Sequence, residues 1–288
     1  MNENICKLLE SVYGKEVQIQ SILTVGGGCI NQASALKLTN GERVFLKQNH
    51  HPPKDFFSAE AKGLKLLTQA VGGPRIPQPL IWEDSLLILE YIEESSPGPD
   101  FAIHFARSLA ELHKISQNSF GLDHDNYIGT TKQKNVPTDN GLDFFRDQRL
   151  RFQQELARKT GKLPLSIDNS LSKLCNQLEH YVNISGEKPA LLHGDLWSGN
   201  YFSDQHQVPC IFDPAIYFGL RETDLAMTEL FGRLPLKFYD AYQEAFPLNP
   251  GYDERKDLYN LYHLLNHLNL FGSSYLASIE KLVKRYIS

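Results

Sequence analysis

The sequence predicts an α+β fold in which a small antiparallel β-sheet precedes a larger, mostly α-helical part. Up to residue 92, short segments alternate apolar and polar residues and are separated by glycine-containing turns, as expected for antiparallel strands. From about residue 100, apolar residues recur instead at the three- and four-residue spacing of helices. We therefore expect two lobes, 1–92 and 93–288, because strands and helices that segregate along a chain pack as separate layers.

The first lobe is predicted to contain a short amphipathic helix, five strands and a second helix. The strand segments are VQIQSILTV, QASALKLT, ERVFLKQ, PLIWED and LLILEYI, with GGG and NGE at the first two turns. Between the third and fourth strands, apolar residues share one face of the second helix, at Phe57, Ala61, Leu64 and Leu67. Two glycines and a proline, residues 72–74, then stop this helix.

The second lobe is predicted to be helical. Its helical segments are FAIHFARSLAELHKIS, GLDFFRDQRLRFQQELARK, SLSKLCNQLEHYV, DLAMTELFG and LKFYDAYQEAF, followed by a long pair from Asp253. Asp224, which heads the fourth segment, is interpreted as its N-cap. Between the first two segments, residues 118–141 are polar and weakly periodic. A stretch of that length without regular structure is usually functional or mobile, and the sequence leaves both interpretations open.

Composition argues against several classes of function. The net charge is −5 and basic residues are scattered along the chain, whereas a nucleic-acid surface usually clusters them. We see no run of about 18 apolar residues for a membrane span and no basic and apolar start typical of a signal peptide. The four cysteines form no C-x-x-C pair, which argues against a zinc ribbon or a thioredoxin-like site. We therefore expect a cytoplasmic protein with reduced thiols.

Several polar features occur in an order that indicates phosphoryl transfer. Each feature alone has a structural explanation, since a single strand lysine is usually a solvated charge and a glycine cluster is weak evidence by itself. In chain order they are Gly26, Gly27 and Gly28, then Lys47, Glu60, the strand end Glu90-Tyr91-Ile92, the H-x-D-x-x-x-x-N motif from His193 to Asn200, and Asp213.

Phosphoryl transfer from a nucleotide uses this set of groups. Glycines let backbone N–H groups approach phosphate oxygens, and a lysine held by a glutamate neutralises the phosphate charge. Carboxylate and amide oxygens suit Mg²⁺, a hard cation that prefers oxygen ligands. One further aspartate can accept the proton of the attacking hydroxyl. The order of the features, more than any one of them, predicts a kinase that uses ATP and Mg²⁺.

The series resembles the protein-kinase-like fold, in the branch that contains aminoglycoside phosphotransferases and choline kinases. Asp195 and Asn200 have the spacing of the kinase motif H-R-D-x-x-x-x-N. However, Gly194 occupies the arginine position, Asp213 begins D-P-A instead of D-F-G, and no A-P-E segment follows. An activation loop controlled by phosphorylation is therefore not expected, which favours small-molecule substrates over proteins.

Longer segments resemble the fructosamine kinase family, also called ketosamine 3-kinases. They are GGGCIN, LEYIE, FGLDHDNYIGTTKQKN, FFRDQRLRFQ, LLHGDLWSGN, DPAIYFGLRETDLAMTELFG and LLNHLNLFG, and together they extend over nearly the whole chain. The resemblance implies ATP-dependent phosphorylation of the C3 hydroxyl in a ketosamine, a sugar adduct on an amine. The implied product breaks down spontaneously and releases the amine, so the activity would serve deglycation of amines and proteins.

The matched motifs imply roles for individual residues. Asp195 is the expected general base, and the resemblance makes Asn200 and Asp213 the Mg²⁺ ligands. Lys47 is expected to contact the α- and β-phosphates, paired with Glu60 or with Asp55. Backbone groups supply the other nucleotide contacts, at Gly26, Gly27 and Gly28 for the phosphates and at Glu90, Tyr91 and Ile92 for the adenine. His193 is expected to orient the catalytic loop.

Two aromatic side chains are candidates for the substrate side. Trp197 lies inside the catalytic motif, where an indole can stack on a sugar and attract a protonated amine; core packing is the alternative. The resemblance suggests that His267 contacts substrate, and a satisfied core histidine is the alternative. A zinc site at His263 and His267 is not expected, because Leu264 stands where the H-E-x-x-H motif needs glutamate.

Cys29 directly follows the glycine cluster, where exposure and nearby backbone N–H groups would favour a reactive thiolate. We hypothesise that its oxidation, or a disulfide between two chains, lowers activity reversibly. The alternative is a small residue that fills a tight turn.

The expected partners are ATP and ketosamines, either as small molecules or bound to proteins. We expect a monomer or a homodimer, and we expect it to bind neither nucleic acid nor a membrane. Two other functions stay open. One is a kinase for another hydroxylated amine, such as an aminoglycoside or choline, against which HGDLWSGN and TELFG argue. The other is a non-catalytic nucleotide-binding module, against which the intact set of Lys47, Asp195, Asn200 and Asp213 argues.

Overall fold

A computed structural model describes residues 2–14, 17–26 and 30–287 and has the two-lobed α+β architecture that the sequence predicts. Within these residues, the first lobe holds a five-stranded antiparallel sheet with strand order β1-β2-β3-β5-β4. The strands are β1 (Ile19–Val25), β2 (Gln32–Leu38), β3 (Arg43–Gln48), β4 (Pro79–Glu83) and β5 (Leu86–Glu90), accompanied by helices α1 (Asn2–Tyr13) and α2 (Phe56–Leu67). The predicted fold class and the elements of the first lobe are confirmed.

The second lobe is mostly helical. Its helices are α3 (Phe101–His113), α4 (Gly141–Phe144), α5 (Phe152–Lys159), α6 (Leu165–Asn176), α7 (Glu222–Leu230), α8 (Leu236–Ala245), α9 (Tyr252–Phe271) and α10 (Leu276–Ile287). Its short strands are β6 (Glu94–Ser95), β7 (Asn126–Ile128), β8 (Thr131–Gln133), β9 (Ala190–Leu192), β10 (Tyr201–Asp204), β11 (Pro209–Ile211) and β12 (Tyr217–Gly219). They pair as β11-β10-β6, β12-β9 and β7-β8. Across the described ranges, no helix combines the length and apolar character that a bilayer span requires.

Strand β3 separates the core of the first lobe from the functional side of the sheet. Val44 and Leu46 are buried in a small core with Ile5 of α1. Because side chains alternate along a strand, Phe45 and Lys47 face the opposite way, and Phe45 packs against the core that contains α2. The alternation that predicts the strand therefore also directs the lysine toward the second lobe.

Helix α2 packs against both lobes. Phe57 and Ala61 are fully buried in a core shared with Phe105 of α3 and Phe238 of α8. Close contact continues at Gly63, where an added Cβ would lie 3.2 Å from the Ile216 side chain. The helix that carries Glu60 is therefore held from two sides.

The chain passes from the first lobe to the second just after β5. Strand β6 already pairs with β10 of the second lobe. Arg75, which precedes β4, also bonds to β11 of the second lobe. Its N–H donates to the Pro209 carbonyl at 2.8 Å, and its carbonyl accepts the Ile211 N–H at 3.0 Å. A boundary between residues 92 and 93 stays a prediction, since backbone hydrogen bonds and the core of α2 both cross it.

The polar segment 118–141 is ordered and contains the hairpin β7–β8. Its amide side chains are buried at Asn126, Gln133 and Asn135. Asn126 Nδ2 donates to the Ile216 carbonyl at 2.8 Å, and Gln133 Nε2 donates to the Ala215 carbonyl at 3.0 Å. Because these amides bond the buried backbone, the segment packs without the apolar periodicity that sequence patterns detect.

The sequence suggested one regular helix over residues 141–159, but the structure divides this segment into three parts. Asn140 caps α4 by accepting the N–H groups of Leu142 and Asp143 at 2.8 and 3.1 Å. A π-helical segment (Phe145–Arg151) then joins α4 to α5. It carries Arg149, which is fully buried with its guanidinium 3.9 Å from the centre of the Tyr217 ring. The wider π turn breaks the regular spacing that the sequence suggested.

Candidate active site

Lys47 forms two ion pairs between the lobes, one with the buried Glu60 and one with Asp213, whose side chain is half exposed. Its Nζ lies 2.6 Å from Glu60 Oε1 and 2.5 Å from Asp213 Oδ1. Burial alone would lower the pKa of Lys47, but the charges of Asp213 and Glu60 outweigh burial and raise that pKa above its usual value. The partner is therefore Glu60, whereas Asp55 stands at the N-terminal boundary of α2 with a φ of 59°.

The predicted catalytic loop, residues 193–200, leaves strand β9 through a turn that requires glycine. Gly194 has a φ of +82°, and an added Cβ would lie 2.0 Å from the Ala215 carbonyl oxygen. A backbone in the left-handed region is costly for other residues, and here no space remains for a side chain. Close approach of the loop to residue 215 therefore explains why glycine replaces the arginine of H-R-D.

Asp224 anchors this loop, and the N-cap interpretation of Asp224 is wrong. Helix α7 begins at Glu222, so Asp224 lies within its first turn. Its Oδ2 accepts the His193 N–H at 2.7 Å and its Oδ1 accepts the Gly194 N–H at 2.8 Å. In the sequence, Asp224 is a carboxylate at the start of an apolar helix. That pattern fits both a helix cap and a residue that anchors a loop, so the sequence could not distinguish the two roles.

A second buried histidine supports this anchor. His113 Nε2 lies 3.2 Å from Asp224 Oδ2, and His113 Nδ1 lies 2.8 Å from the Tyr242 hydroxyl. Burial alone would raise the pKa of Asp224, but His113 and the loop N–H groups hold the pKa of this carboxyl below its usual range. Asp224 is therefore a fixed negative charge beneath the loop.

His193 connects the catalytic loop to the segment that carries Asp213. Its Nε2 donates to the Phe212 carbonyl at 2.9 Å, and its Nδ1 accepts the Asp195 N–H at 3.3 Å. Burial lowers the pKa of His193, so the ring is neutral. With both nitrogens bonded to the backbone, His193 aligns Asp195 with Asp213, which has a φ of 60°.

Asp195 and Asn200 form the centre of the catalytic loop. Asn200 Nδ2 donates to the Asp195 carbonyl at 2.8 Å and approaches Asp195 Oδ2 at 3.3 Å. Burial, and then the charges of Asp213 and Asp224, raise the pKa of Asp195 to about 8, although the Asn200 hydrogen bond acts in the opposite direction. The Asp195 side chain keeps 21% exposure, so the carboxylate can reach a ligand.

The donor set at this site fits Mg²⁺. The carboxylate of Asp213 is close enough to Asp195 for its charge to raise the pKa of Asp195. Asn200 uses its nitrogen toward Asp195, which leaves its oxygen for a cation. Within the described residues, no group of three His, Cys, Asp or Glu side chains could hold a metal by itself. Mg²⁺ is usually held by one or two carboxylates together with substrate phosphates.

Trp197 is half-buried and folds back over its own loop. A Cβ added at Gly199 would lie 2.4 Å from Cη2 of the indole, so the ring covers that glycine. The Asn200 N–H donates to the Trp197 carbonyl at 2.9 Å. The structure therefore places Trp197 beside Asp195 and Asn200, with part of its surface free.

His267 lies in an aromatic cluster next to the catalytic loop. Its ring is 4.7 Å from Phe231, 5.4 Å from Phe271 and 5.1 Å from Tyr275, measured between ring centres. Phe231 is close to the loop, because its carbonyl accepts the Ser198 hydroxyl at 3.0 Å. His267 Nδ1 bonds the carbonyl of His263 at 2.8 Å, so Nε2 is the nitrogen left for a ligand.

The proposed adenine segment has its side chains engaged by arginines. Glu90 pairs with Arg75 at 2.6 Å, and the Arg43 guanidinium lies 4.4 Å from the centre of the Tyr91 ring. Ile92 follows outside the strand. The Glu90 N–H also donates to the Gln78 carbonyl at 2.8 Å, and contact between the backbone of this segment and a nucleotide stays a prediction.

The glycine-rich segment is described only in part. Gly26 follows β1 with open space around it, whereas Gly27, Gly28 and Cys29 lie outside the described residues. Among the described cysteines, Cys175 and Cys210 are buried, and burial raises the pKa of Cys175 to about 11. The hypothesis about Cys29 therefore stays a hypothesis.

Known proteins resemble this chain over nearly its full length. A family model described as fructosamine kinase matches residues 1–288. A Synechocystis protein named a probable ketoamine kinase is 38% identical, covering 98% of this chain and 96% of its own. A chloroplastic protein-ribulosamine 3-kinase of Arabidopsis thaliana is 38% identical, covering 95% of this chain and 85% of its own.

Solved structures resemble the fold in the same way. A Thermobifida fusca protein provisionally named a fructosamine-3-kinase has a TM-score of 0.85 at 33% identity, with 93% of each chain covered. An ADP-bound aminoglycoside phosphotransferase has a TM-score of 0.65 at 14% identity, covering 99% of this chain and 97% of its own. The second likeness concerns the fold alone. The chain therefore belongs to the fructosamine kinase family, whose members are ATP-dependent phosphotransferases that act on a hydroxyl group.

Proposed function

We propose that this protein is a ketosamine 3-kinase, which transfers the γ-phosphoryl group of ATP to the C3 hydroxyl of a sugar carried on an amine. The observation that carries the proposal is the joint placement of Lys47, Asp213 and Asp195, in which a charged lysine and two carboxylates meet between the lobes. Relatives named ketoamine kinase and protein-ribulosamine 3-kinase support this class of acceptor.

Asp195 is the group that we assign to the proton of the acceptor. The hydroxyl oxygen attacks the γ-phosphorus, and its proton moves to the Asp195 carboxylate. The bond between that phosphorus and the β–γ bridging oxygen breaks, and ADP leaves. A pKa raised to about 8 makes this carboxylate a stronger base than an exposed aspartate, and general bases are most effective when their pKa lies near the working pH.

Lys47 is assigned to the phosphates of ATP. Glu60 holds the lysine from α2, which is itself packed into both lobes, so the charge has a fixed position. Backbone N–H groups of the glycines 26–28 would supply further phosphate contacts, and the backbone of residues 90–92 would meet the adenine. Because the side chains of Glu90 and Tyr91 contact Arg75 and Arg43, substitutions there would remove these contacts and affect the nucleotide only indirectly.

Asn200 and Asp213 are the residues that would hold Mg²⁺. Their available atoms are Asn200 Oδ1 and Asp213 Oδ2, since Asn200 Nδ2 bonds Asp195 and Asp213 Oδ1 bonds Lys47. When bound, the cation neutralises charge on the transferring phosphoryl group. The hydrogen bond from Asn200 to Asp195 also directs the amide oxygen away from the base.

Trp197 and His267 are assigned to the sugar and its amine-borne group. Both lie beside the catalytic loop, Trp197 within it and His267 through Phe231. Phosphorylation at C3 would lead to spontaneous loss of the sugar, so the activity would remove glycation adducts from amines and proteins. We place this activity in the cytoplasm.

The proposal is tested by following ADP release with ribulosamines, erythrulosamines and fructosamines, each offered free and on a peptide lysine. We expect turnover of at least one ketosamine, with phosphate on C3 in the ³¹P NMR spectrum of the product. An aminoglycoside and choline are the matched controls. Turnover of a control without turnover of any ketosamine would contradict the proposal, as would phosphate on another hydroxyl.

A further inference from the structure

His263 on α9 is a buried polar residue without a hydrogen-bond explanation. The side chain is buried, and within the described residues neither ring nitrogen has a hydrogen-bond partner. An unpaired buried polar group destabilises a fold. Such groups are rare in native proteins, and a strained or catalytic site is one of the common reasons for them.

The position of the ring suggests such a reason. His263 Nδ1 lies 4.0 Å from Asp195 Oδ1, about 1 Å beyond hydrogen-bond length. The other oxygen of the same carboxylate, Asp195 Oδ2, faces Asn200 Nδ2 at 3.3 Å. Hydrogen bonds in active sites are often long without substrate and shorten when it binds. The base therefore has one neighbour for each oxygen, from the loop and from α9.

The surroundings keep the imidazole neutral and fixed. Burial, followed by His267 and Arg149, lowers the pKa of His263 to about 3, although Asp224 acts in the opposite direction. The Tyr262 ring lies 4.9 Å away between ring centres. A neutral imidazole carries one proton, and the nitrogen that faces a carboxylate is the favoured place for it. That nitrogen is Nδ1.

We propose that His263 is a positioning residue, whose Nδ1–H donates to Asp195 Oδ1 in the substrate-bound enzyme. This inference rests on the proposed function, because it requires Asp195 to be the base. With Asn200 holding one oxygen and His263 the other, the carboxylate cannot rotate away from the acceptor hydroxyl. The unpaired imidazole of the free protein is then a donor kept ready for the reacting complex.

Three substitutions separate this role from packing. In His263→Asn the amide nitrogen replaces Nδ1, in His263→Gln it replaces Nε2, and His263→Leu fills the space without a donor. We expect the Leu and Gln variants to lose kcat roughly 10- to 100-fold, the loss typical of a group misplaced by about 1 Å. The Asn variant should keep kcat within a few-fold of wild type, and KM for ATP should be unchanged in all three.

Thermal unfolding distinguishes positioning from structure. Because His263→Leu removes an unpaired polar group, its Tm should equal or exceed that of wild type while kcat falls. Equal kcat values for the Asn and Leu variants would overturn the proposal. So would a parallel loss of Tm and kcat in the Leu variant.

A readout independent of substrate identity completes the test. In ¹⁵N-histidine NMR of the wild type, we expect His263 to carry its proton on Nδ1, with a shift on adding ATP and a ketosamine. A proton on Nε2 would overturn the proposal whatever the acceptor is. Failure of the proposed function would look different, because the wild type would then turn over no ketosamine while the Nδ1 tautomer remained.

Discussion

Asp195 is the residue whose replacement tests the chemistry most directly. Asp195→Asn keeps the size of the side chain but removes the proton acceptor, so we expect kcat to fall roughly 10²- to 10⁴-fold. ATP affinity should be largely kept, because the ion pair of Lys47 with Asp213 is not changed. Steady-state kinetics and ATP titrations measure both quantities. Turnover within a few-fold of wild type would mean that another group takes the proton.

Asp213→Ala is the matched comparison for that variant. It removes the carboxylate that pairs with Lys47 and that we assign to Mg²⁺. We expect Mg²⁺-dependent ATP binding to be lost, in contrast to the Asn variant at position 195. ATP affinity that still depends on Mg²⁺ would place the metal ligand elsewhere.

Substitution of Trp197 distinguishes two roles of its side chain, contact with the substrate and packing within the loop. In Trp197→Ala, KM for the ketosamine should rise roughly two- to thirty-fold, which corresponds to a cation–π contribution of about 0.5–2 kcal/mol, while KM for ATP stays nearly constant. Trp82→Ala is the control, because Trp82 lies on β4 beneath Lys65 and should change neither KM. Equal increases of both KM values in the Trp197 variant would indicate that the indole acts by packing on Gly199.

The hairpin β7–β8 contacts residues near both the proposed ATP site and the proposed ketosamine site. A Cβ at Gly129 would lie 2.7 Å from Leu270 Cδ1 and 2.9 Å from Ile30 Cδ1. Leu270 is on α9 near His267, and Ile30 follows the glycine-rich segment. The hairpin tip thus contacts one lobe through Ile30 and the other through Leu270.

Gly129→Ala tests whether this contact matters for binding. The added methyl group must push aside the ends of the Leu270 and Ile30 side chains, and the positive φ of Gly129, +57°, strains any other residue, so the cost is roughly 1–3 kcal/mol. We expect KM for ATP and for the ketosamine to rise together. Gly41→Ala is the control, since Gly41 also has positive φ, +92°, but nothing lies within 4 Å of its Cβ position. Unchanged KM values in the Gly129 variant, with a lowered Tm, would reduce the hairpin to a structural role.

Arg75 ties the two lobes together behind the proposed adenine segment. Its guanidinium reaches Glu90 Oε1 and Asp204 Oδ2, each at 2.6 Å. Asp204 is almost fully buried, whereas the arginine side chain keeps 35% exposure. One side chain therefore connects the last residue of β5 with strand β10.

Arg75→Ala should weaken that connection in a measurable way. We expect a loss of roughly 1–3 kcal/mol in the free energy of unfolding, since Asp204 loses a charged hydrogen bond, with partial screening at the exposed arginine keeping the loss toward the lower value. KM for ATP should rise more than KM for the ketosamine. Arg151→Ala, which removes an exposed pair with Asp147, should change stability little. If both variants behaved alike, the bridge would be a surface ion pair only.

The two lobes, the strands of the first sheet and the family could be predicted from the sequence. Alternation along β3 and helical spacing along α2 are local patterns, so they can be recognised without knowing any tertiary contact. The spacing from Asp195 to Asn200 is local too, because both belong to one loop. These features made the general chemistry predictable before any distance was known.

Which groups contact each other could be learned only from the folded protein. Glu60 rather than Asp55 pairs with Lys47 because α2 is packed into a core that both lobes share. Asp224 bonds the catalytic loop instead of capping α7, and buried amides order the segment 118–141. His263 faces Asp195 although 68 positions separate them in the numbering. Such partners depend on packing between distant segments, and no local periodicity or motif spacing records that packing.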